Sequence, residues 1–389
     1  EMGGTVMGKT TPRNSKWMRT YNRSLILRLI RLHQPVSRVE LAKATNLTKP
    51  TISNIVNELK EEGLINEREL GVSSGGRRPI MLELAASDRF VIGIDATQRK
   101  LHGVVTNIHG EMLGEAWHDE RFDTNDEFIE AIVTLYIELA GKAAGDVIGL
   151  GVSVHGMVEA GDGVVLFAPR FHLHDIPLKR ELETRLKQNV FVENDVRTLA
   201  LGELYFGEAI GIDEFFYVYA GYGIGGAYVH GGELIDGEHH IAGEIGHMRI
   251  MLDGPICSCG NRGCLEAVAG ERAILNEARE TSQTLTLDTL REHVKEDAAV
   301  RELYERAGEY IGIATLNMIH LLNPKRILLG GPLFNYAPNV VTNIQERVAQ
   351  TALTIDARQT DIRVVPWNAD HGALGAAALI TNQLFREIQ

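Results

Sequence analysis

The sequence predicts an α/β protein: an N-terminal winged helix-turn-helix head followed by a two-lobed body. Three observations carry this. Residues 1–84 hold 14 Lys/Arg against 8 Asp/Glu, while the remaining 305 hold 25 against 44, so a short basic module precedes a large acidic one. Within that basic module, two short capped helices and a hairpin follow one another. Beyond Arg89 the pattern turns to strand-strand-strand-helix, and the same order recurs after Phe215, which suggests two α/β lobes around a cleft. With 44% apolar and 23% charged residues the composition is globular and excludes a disordered or fibrous protein.

In the head, Leu25, Ile26, Leu29 and Leu32 recur at helical spacing over residues 22–33, and Gln34-Pro35 ends that run. Ser37 followed by Glu40 is a capping box for a second helix. Asn46-Leu47 forms a turn, and Thr48 caps a third helix reaching about Lys60, with Ile52, Ile55, Val56 and Leu59 inward and Gly63 as its stop. Lys49, Thr51, Ser53, Asn54 and Asn57 face outward early in that helix. Small and mostly uncharged polar side chains there suit base edges in a major groove. Residues 64–70 and 79–84 read as strands flanking a Gly-Gly-Arg-Arg-Pro tip, where Arg77 and Arg78 are placed to enter a narrow minor groove. Operator DNA is therefore an expected partner.

In the body, Phe90–Asp95, Leu101–Asn107 and Met112–Trp117 read as strands, with a helix of about twenty residues starting at Asp126 and a buried strand over Val147–Val154. Phe215–Ala220, Gly226–His230 and Arg326–Gly331 supply strands of the second half, with helix over 301–322. Glu193-Asn194-Asp195 follows a strand and opens a helix. A carboxylate and an amide there suit a polyhydroxylated ligand, with a simple helix cap as the lesser alternative for Asn194-Asp195. No window holds 18 uninterrupted apolar residues and the first 16 residues lack an apolar signal core, so a cytoplasmic protein without membrane insertion is expected. All three cysteines, Cys257, Cys259 and Cys264, lie within eight residues, which in a reducing compartment favours a metal over disulfides.

Together, Gly223-Ile224-Gly225-Gly226, Glu244-Ile245-Gly246-His247 and the block from Cys257 to Glu266 resemble the ROK family, which groups bacterial sugar repressors with sugar kinases. The resemblance runs from about Asn22 to the C-terminus. The head and the Ser73–Pro79 segment look like its transcriptional-regulator branch, xylose-type repressors in particular. It implies an actin/hexokinase-like (RNase H-like) body with a sugar bound between lobes. The expected division is an arm over 1–21, the head over 22–84, a first lobe over 85–195 completed by a helix over 373–389, and a second lobe over 196–372. Cys-x-Cys-x4-Cys offers three thiolates, with Gly260 and Gly263 letting the loop wrap one ion; Zn2+ bound by His247, Cys257, Cys259 and Cys264 is the expected structural cofactor. Glu244, His247 and Glu266 match sugar-contact positions of the family and join Asn194 and Asp195 in the sugar site.

The departures from the family pattern are informative. Ala168-Pro169-Arg170 stands where relatives often carry Ala-Pro-Asn, His155 replaces a frequent Pro, and Arg197 replaces a smaller residue, so an unusual or phosphorylated sugar is possible on sequence grounds. ROK kinases carry Asp-x-Gly-Gly-Thr-Lys after the first strand, but here the segment is Asp95-Ala96-Thr97-Gln98-Arg99-Lys100, without the glycines that cradle phosphate. Tyr222 stands where kinases usually have Thr, while Gly330-Gly331 is retained. The expectation is a non-enzymatic, sugar-responsive repressor acting as a homodimer or dimer of dimers on operator half-sites. A ROK-type sugar kinase, or a regulator controlled by a protein partner, are the alternatives.

Overall fold

The computed structural model describes residues 15–69, 79–85, 89–97, 100–119, 122–168, 173–238, 240–280 and 284–386. Arg77 and Arg78 lie outside the described residues, as do Gln98, Arg99, Pro169, Arg170, most of the expected arm and the last three positions of the expected final helix. The chain forms two compact units, Glu1–Asp88 with Thr381–Gln389, and Arg89–Ile380.

The head is built by its caps. The Ser37 hydroxyl accepts from the Glu40 N–H while the Glu40 carboxylate accepts the Ser37 N–H at 2.8 Å, which starts the helix Arg38–Thr45. Asn46 ends it at φ 58°, Thr48 caps the helix Lys49–Glu61 with a proline in its first turn, and Gly63 turns away at φ 68°. The inward stripe of that helix is Ile52, Ile55, Val56 and Leu59, all buried. Three antiparallel strands complete the winged domain in the order Val36–Ser37, Ile80–Leu84, Ile65–Glu69. The first helix, Ser15–His33, differs from expectation in start and orientation. It buries Ile26, Leu27 and Ile30 rather than Leu25, Leu29 and Leu32, because its apolar residues occupy more than one face and periodicity alone could not orient them. Its Ser24 hydroxyl donates to the Arg386 carbonyl at 2.8 Å, within the same unit.

In the body, the first sheet runs Val190–Asn194, Asp146–Val154, Arg89–Thr97, Lys100–Asn107, Met112–Asp119. The helix Asn125–Ala140 covers it, 16 residues instead of about twenty because Gly141 stops it. Three short antiparallel strands, Met157–Glu159, Val164–Ala168 and Leu173–Ile176, and the helix Leu178–Leu186 precede the edge strand; sequence periodicity did not distinguish these strands from loop. The second sheet runs Glu233–Leu234, Ile224–His230, Phe215–Ala220, Arg326–Gly330, Asp361–Val364, backed by the 25-residue helix Ala298–Leu322. The last helix, His371–Phe385, presses its backbone onto the first sheet: a Cβ on Gly151 would fall 1.8 Å from the Ala376 carbonyl oxygen, and one on Gly93 2.1 Å from that of Ala373. Glycine there is a packing requirement. Among the described residues, no helix is long and apolar enough to cross a membrane.

Candidate functional site

The strand Val190–Asn194 delivers Asn194 to the start of the helix Asp195–Phe206. The Asn194 side-chain oxygen accepts from the N–H groups of Val196 and Arg197, and its amide donates to the Gly156 carbonyl and to Asp195 Oδ1, both at 2.9 Å. Its hydrogen-bonding capacity is thus used by the protein, which is the cap reading left open above, and its evident work is to fix Asp195. The other Asp195 oxygen, Oδ2, lies 2.7 Å from His155 Nδ1. Sequence reasoning noted His155 only as a departure. Forty positions separate it from Asp195, so only the parallel pairing of Val190–Asn194 with Asp146–Val154 brings them together.

Arg197 is buried and already engaged. Its guanidinium pairs with Asp236, donates to the Ile235 carbonyl at 2.9 Å and lies 3.1 Å from Glu193. This clamp ties the helix start to the Glu233–Leu234 edge and occupies the charge that a phosphorylated sugar would have used. Burial still raises the Glu193 carboxyl above its ordinary range, the nearby guanidinium opposing that rise. Glu244 also sits raised, first by burial, then by the charges of Asp195 and Glu266, with His247 and His155 pulling the other way. Glu244, Asn194, Gly156, Leu166 and His240 line one small cavity. The Glu266 carboxylate accepts the Ile224 N–H at 3.3 Å, at the glycine turn. The cleft therefore gathers acceptors, Asp195, Glu244 and Glu266, beside two imidazoles.

His247 joins this cleft to the cysteine loop: its Nε2 lies 3.9 Å from Glu244 Oε2 and its Nδ1 3.6 Å from the Cys257 sulfur. The loop closes because Gly260 and Gly263 take φ values of 87° and 67°; a Cβ on Gly263 would fall 1.6 Å from the Met251 carbonyl oxygen. The four ligand atoms of His247, Cys257, Cys259 and Cys264 lie within 4.8 Å of one another, a set that could hold a metal ion. The donors fit such an ion. Cys259 is drawn down to about 6, chiefly by the Asn261 N–H, whereas burial and the neighbouring sulfurs push Cys264 up to about 12. Sulfurs 3.7 Å apart resist losing both protons, and a dication relieves that repulsion.

The segments matching kinase phosphate turns are differently furnished. Asp95 is buried, and a Cβ on Gly372 would lie 2.3 Å from its Oδ2, so the start of the last helix crowds it. A Cβ on Gly221 would meet the Tyr219 hydroxyl at 2.6 Å and Pro332 at 3.0 Å, so the Tyr219 hydroxyl lies against the first of the two glycine turns. Tyr222 lies under the Arg272 guanidinium at 5.9 Å.

In the head, Lys49, Asn54 and Asn57 are exposed and Thr51 and Ser53 half-exposed on one helix. The Thr51 hydroxyl shares a hydrogen bond with that of Thr48 at 2.8 Å, and Asn57 faces Arg38 at 3.4 Å.

Comparison with known proteins agrees with this architecture. The ROK family model matches residues 91–383 and the MarR family model residues 19–78. A putative xylose repressor of Caldicellulosiruptor sp. (strain Rt8B.4) is 32% identical over 95% of this chain and 98% of its own length. The crystal structure of a ROK family transcriptional regulator, a homolog of the E. coli MLC protein, superposes with a TM-score of 0.81 at 25% identity, covering 95% of this chain and 97% of that one. A ROK hexokinase from Thermus thermophilus superposes with a TM-score of 0.64 at 27% identity, covering 74% of this chain and 97% of its own.

Proposed function

The chain belongs to the ROK family, and from that premise we propose a sugar-responsive transcriptional repressor that binds its sugar without phosphorylating it. The observation that carries this is one chain holding both a MarR-type head, with an outward polar helix face, and a body whose acidic cleft is anchored to a cysteine cluster. Relatives across nearly the whole length are named repressors, whereas the hexokinase matches only three quarters of this chain.

The effector is a neutral sugar. Arg197 is paired within the protein, and the cleft's ionisable acids would repel a phosphate, while carboxylates bridge vicinal hydroxyls well. Asp195 accepts a sugar hydroxyl, His155 and Asn194 hold it in place, and Glu244, Glu266 and His247 complete the site. Zn2+ bound by His247, Cys257, Cys259 and Cys264 is structural, since all four positions come from protein. Crowding of Asp95 by Gly372 and the Tyr219 hydroxyl packed against Gly221 oppose nucleotide binding. Sugar shifts operator affinity because it binds one arrangement of a homodimer more tightly than the other.

Two measurements test this. Calorimetry with pentoses and hexoses should find one that binds, and Asp195→Asn should weaken it by about 1.5–3 kcal/mol, the worth of a hydrogen bond to a charged group. Unchanged affinity would remove Asp195 from the site, and sugar-dependent ATP hydrolysis would restore the kinase reading. On DNA, Asn54→Ala should cost about 1–3 kcal/mol and relax preference at one base position, while Lys49→Ala should weaken all sequences alike and lower the salt dependence. Equal loss on specific and random DNA for Asn54→Ala would argue against base readout by this helix.

A further inference from the structure

A second cluster of metal-ligating side chains lies away from the cysteine loop, on the outer strands of the first sheet. His102 sits on the strand Lys100–Asn107, Glu115 on the neighbouring Met112–Asp119, and Asp370 one residue before the last helix. One ring nitrogen, two carboxylate oxygens and no cysteine lie within 4.8 Å of one another.

The orientation of the imidazole is specific. Its Nδ1 faces the Ala369 carbonyl oxygen at 3.3 Å, to which the tautomer protonated at Nδ1 donates. In that tautomer Nε2 carries a lone pair and faces Glu115 Oε2 at 3.2 Å and Asp370 Oδ1 at 3.8 Å, two more acceptors. Three electron-pair donors are aimed at one another. Separations of this size are those of ligands sharing one ion at bond lengths near 2.1 Å. A backbone carbonyl on the far nitrogen is the usual orienting partner of a metal-bound histidine. The ring is held further by Trp117, stacked on it with centroids 3.5 Å apart and planes 7° apart, and the Trp117 indole N–H donates to Glu115 Oε2 at 3.3 Å. The His102 side chain is 2% exposed, so its direction is imposed by packing. Among the described residues, neither carboxylate pairs with a Lys or Arg within 4.0 Å; the Lys142 ammonium binds the Glu115 backbone carbonyl and Glu138 instead.

We propose that His102, Glu115 and Asp370 form a second metal site, taking a divalent first-row transition ion with water completing its coordination. One imidazole and two carboxylates form a borderline-to-hard donor set, suited to Mn2+, Co2+ or Zn2+ and distinct from the thiolate-rich cluster. The ion would join two strands of the first sheet to the residue that precedes the last helix. It would therefore fix the start of that helix against the sheet.

The test uses full-length protein holding one zinc per chain, with Trp17→Phe and Trp367→Phe, which leaves Trp117 as the single tryptophan. Mn2+ is titrated in, with free Mn2+ followed by electron paramagnetic resonance and Trp117 by its fluorescence. One Mn2+ per chain should bind and quench Trp117. Glu115→Gln and Asp370→Asn, both at partly exposed positions, should each weaken binding at least tenfold while zinc content stays unchanged. Absence of binding at millimolar Mn2+, or binding that both variants leave intact, overturns the site; the three groups would then be reconciled by a second proton on His102.

Discussion

Cys264→Ser is expected to empty the cysteine cluster, taking zinc from about one equivalent per chain to near zero and abolishing the response of DNA binding to sugar. Cys264 is fully buried and serves as the residue from which the short helix Leu265–Ala269 starts, so its loss disturbs Glu266 as well as the metal. Structural zinc is worth roughly 10–16 kcal/mol in isolated finger peptides. Here the loop is also held by backbone hydrogen bonds, Cys257 N–H to Asn261 O at 2.7 Å and Gly263 N–H to Pro255 O at 2.8 Å among them, so only part of that appears as lost stability. A few kcal/mol, at roughly 2–4 °C of melting temperature per kcal/mol for a domain of 150–250 residues, is the expected size. Ser258→Ala, beside the ligands, should leave zinc, melting temperature and sugar response unchanged. Metal analysis and a sugar titration of operator binding check both halves. A variant that keeps its zinc would sink the ligand assignment, and one that loses zinc yet still responds to sugar would uncouple the loop from the cleft.

The proposed coupling of zinc to sugar runs through one imidazole. His247 turns Nδ1 to the sulfurs and Nε2 towards Glu244, so an ion on one side fixes the ring plane presented to the other. The sugar half of this link rested on the family resemblance of Glu244, His247 and Glu266, while the metal half was legible because its parts are close along the chain. The same holds for the head, where Ser37 with Glu40, and Thr48 with its proline, are local signals that fix helix starts without tertiary help. What escaped is set by distance or by competition. His155 meets Asp195 only through strand pairing, and His102, Glu115 and Asp370 converge from three separate segments. Arg197 looked free to bind an anion because Asp236, its partner, lies 39 positions away. Asn194 could be read either as ligand or as cap, and the cap geometry shows its atoms already in use. The inward stripe of the first helix agreed only at Ile26, for a different reason: apolar residues on several faces give no unique moment, and packing alone decided for Leu27 and Ile30 over Leu25, Leu29 and Leu32.

Asp95→Asn should stabilise the protein at alkaline pH and leave it unchanged in acid. Burial raises this carboxyl from 3.8 to about 7; the charge of Asp195 adds to the rise, while a hydrogen bond from Ser153 and the charge of His155 oppose it. The folded chain therefore holds this proton more tightly than the unfolded chain does. Its stabilising contribution is complete below about pH 4, and is lost as pH rises through about 7. Three units at 1.36 kcal/mol each set an upper limit of roughly 4 kcal/mol. Asparagine keeps the shape and can still meet Ser153, but carries no charge to bury, so its advantage should grow between pH 4 and 8 and then level off. The last helix makes the position unforgiving, because Gly372 stands against the Asp95 carboxylate with no space for a water-filled gap. A carboxyl that is protonated near neutral pH and covered by a helix start is a poor ligand for a nucleotide-bound cation. Asp95→Asn should therefore leave sugar binding intact while flattening the pH profile. Parallel melting curves for the two proteins from pH 4.5 to 8.5 would show that Asp95 stays ionised, and would reopen that end of the cleft to a charged ligand.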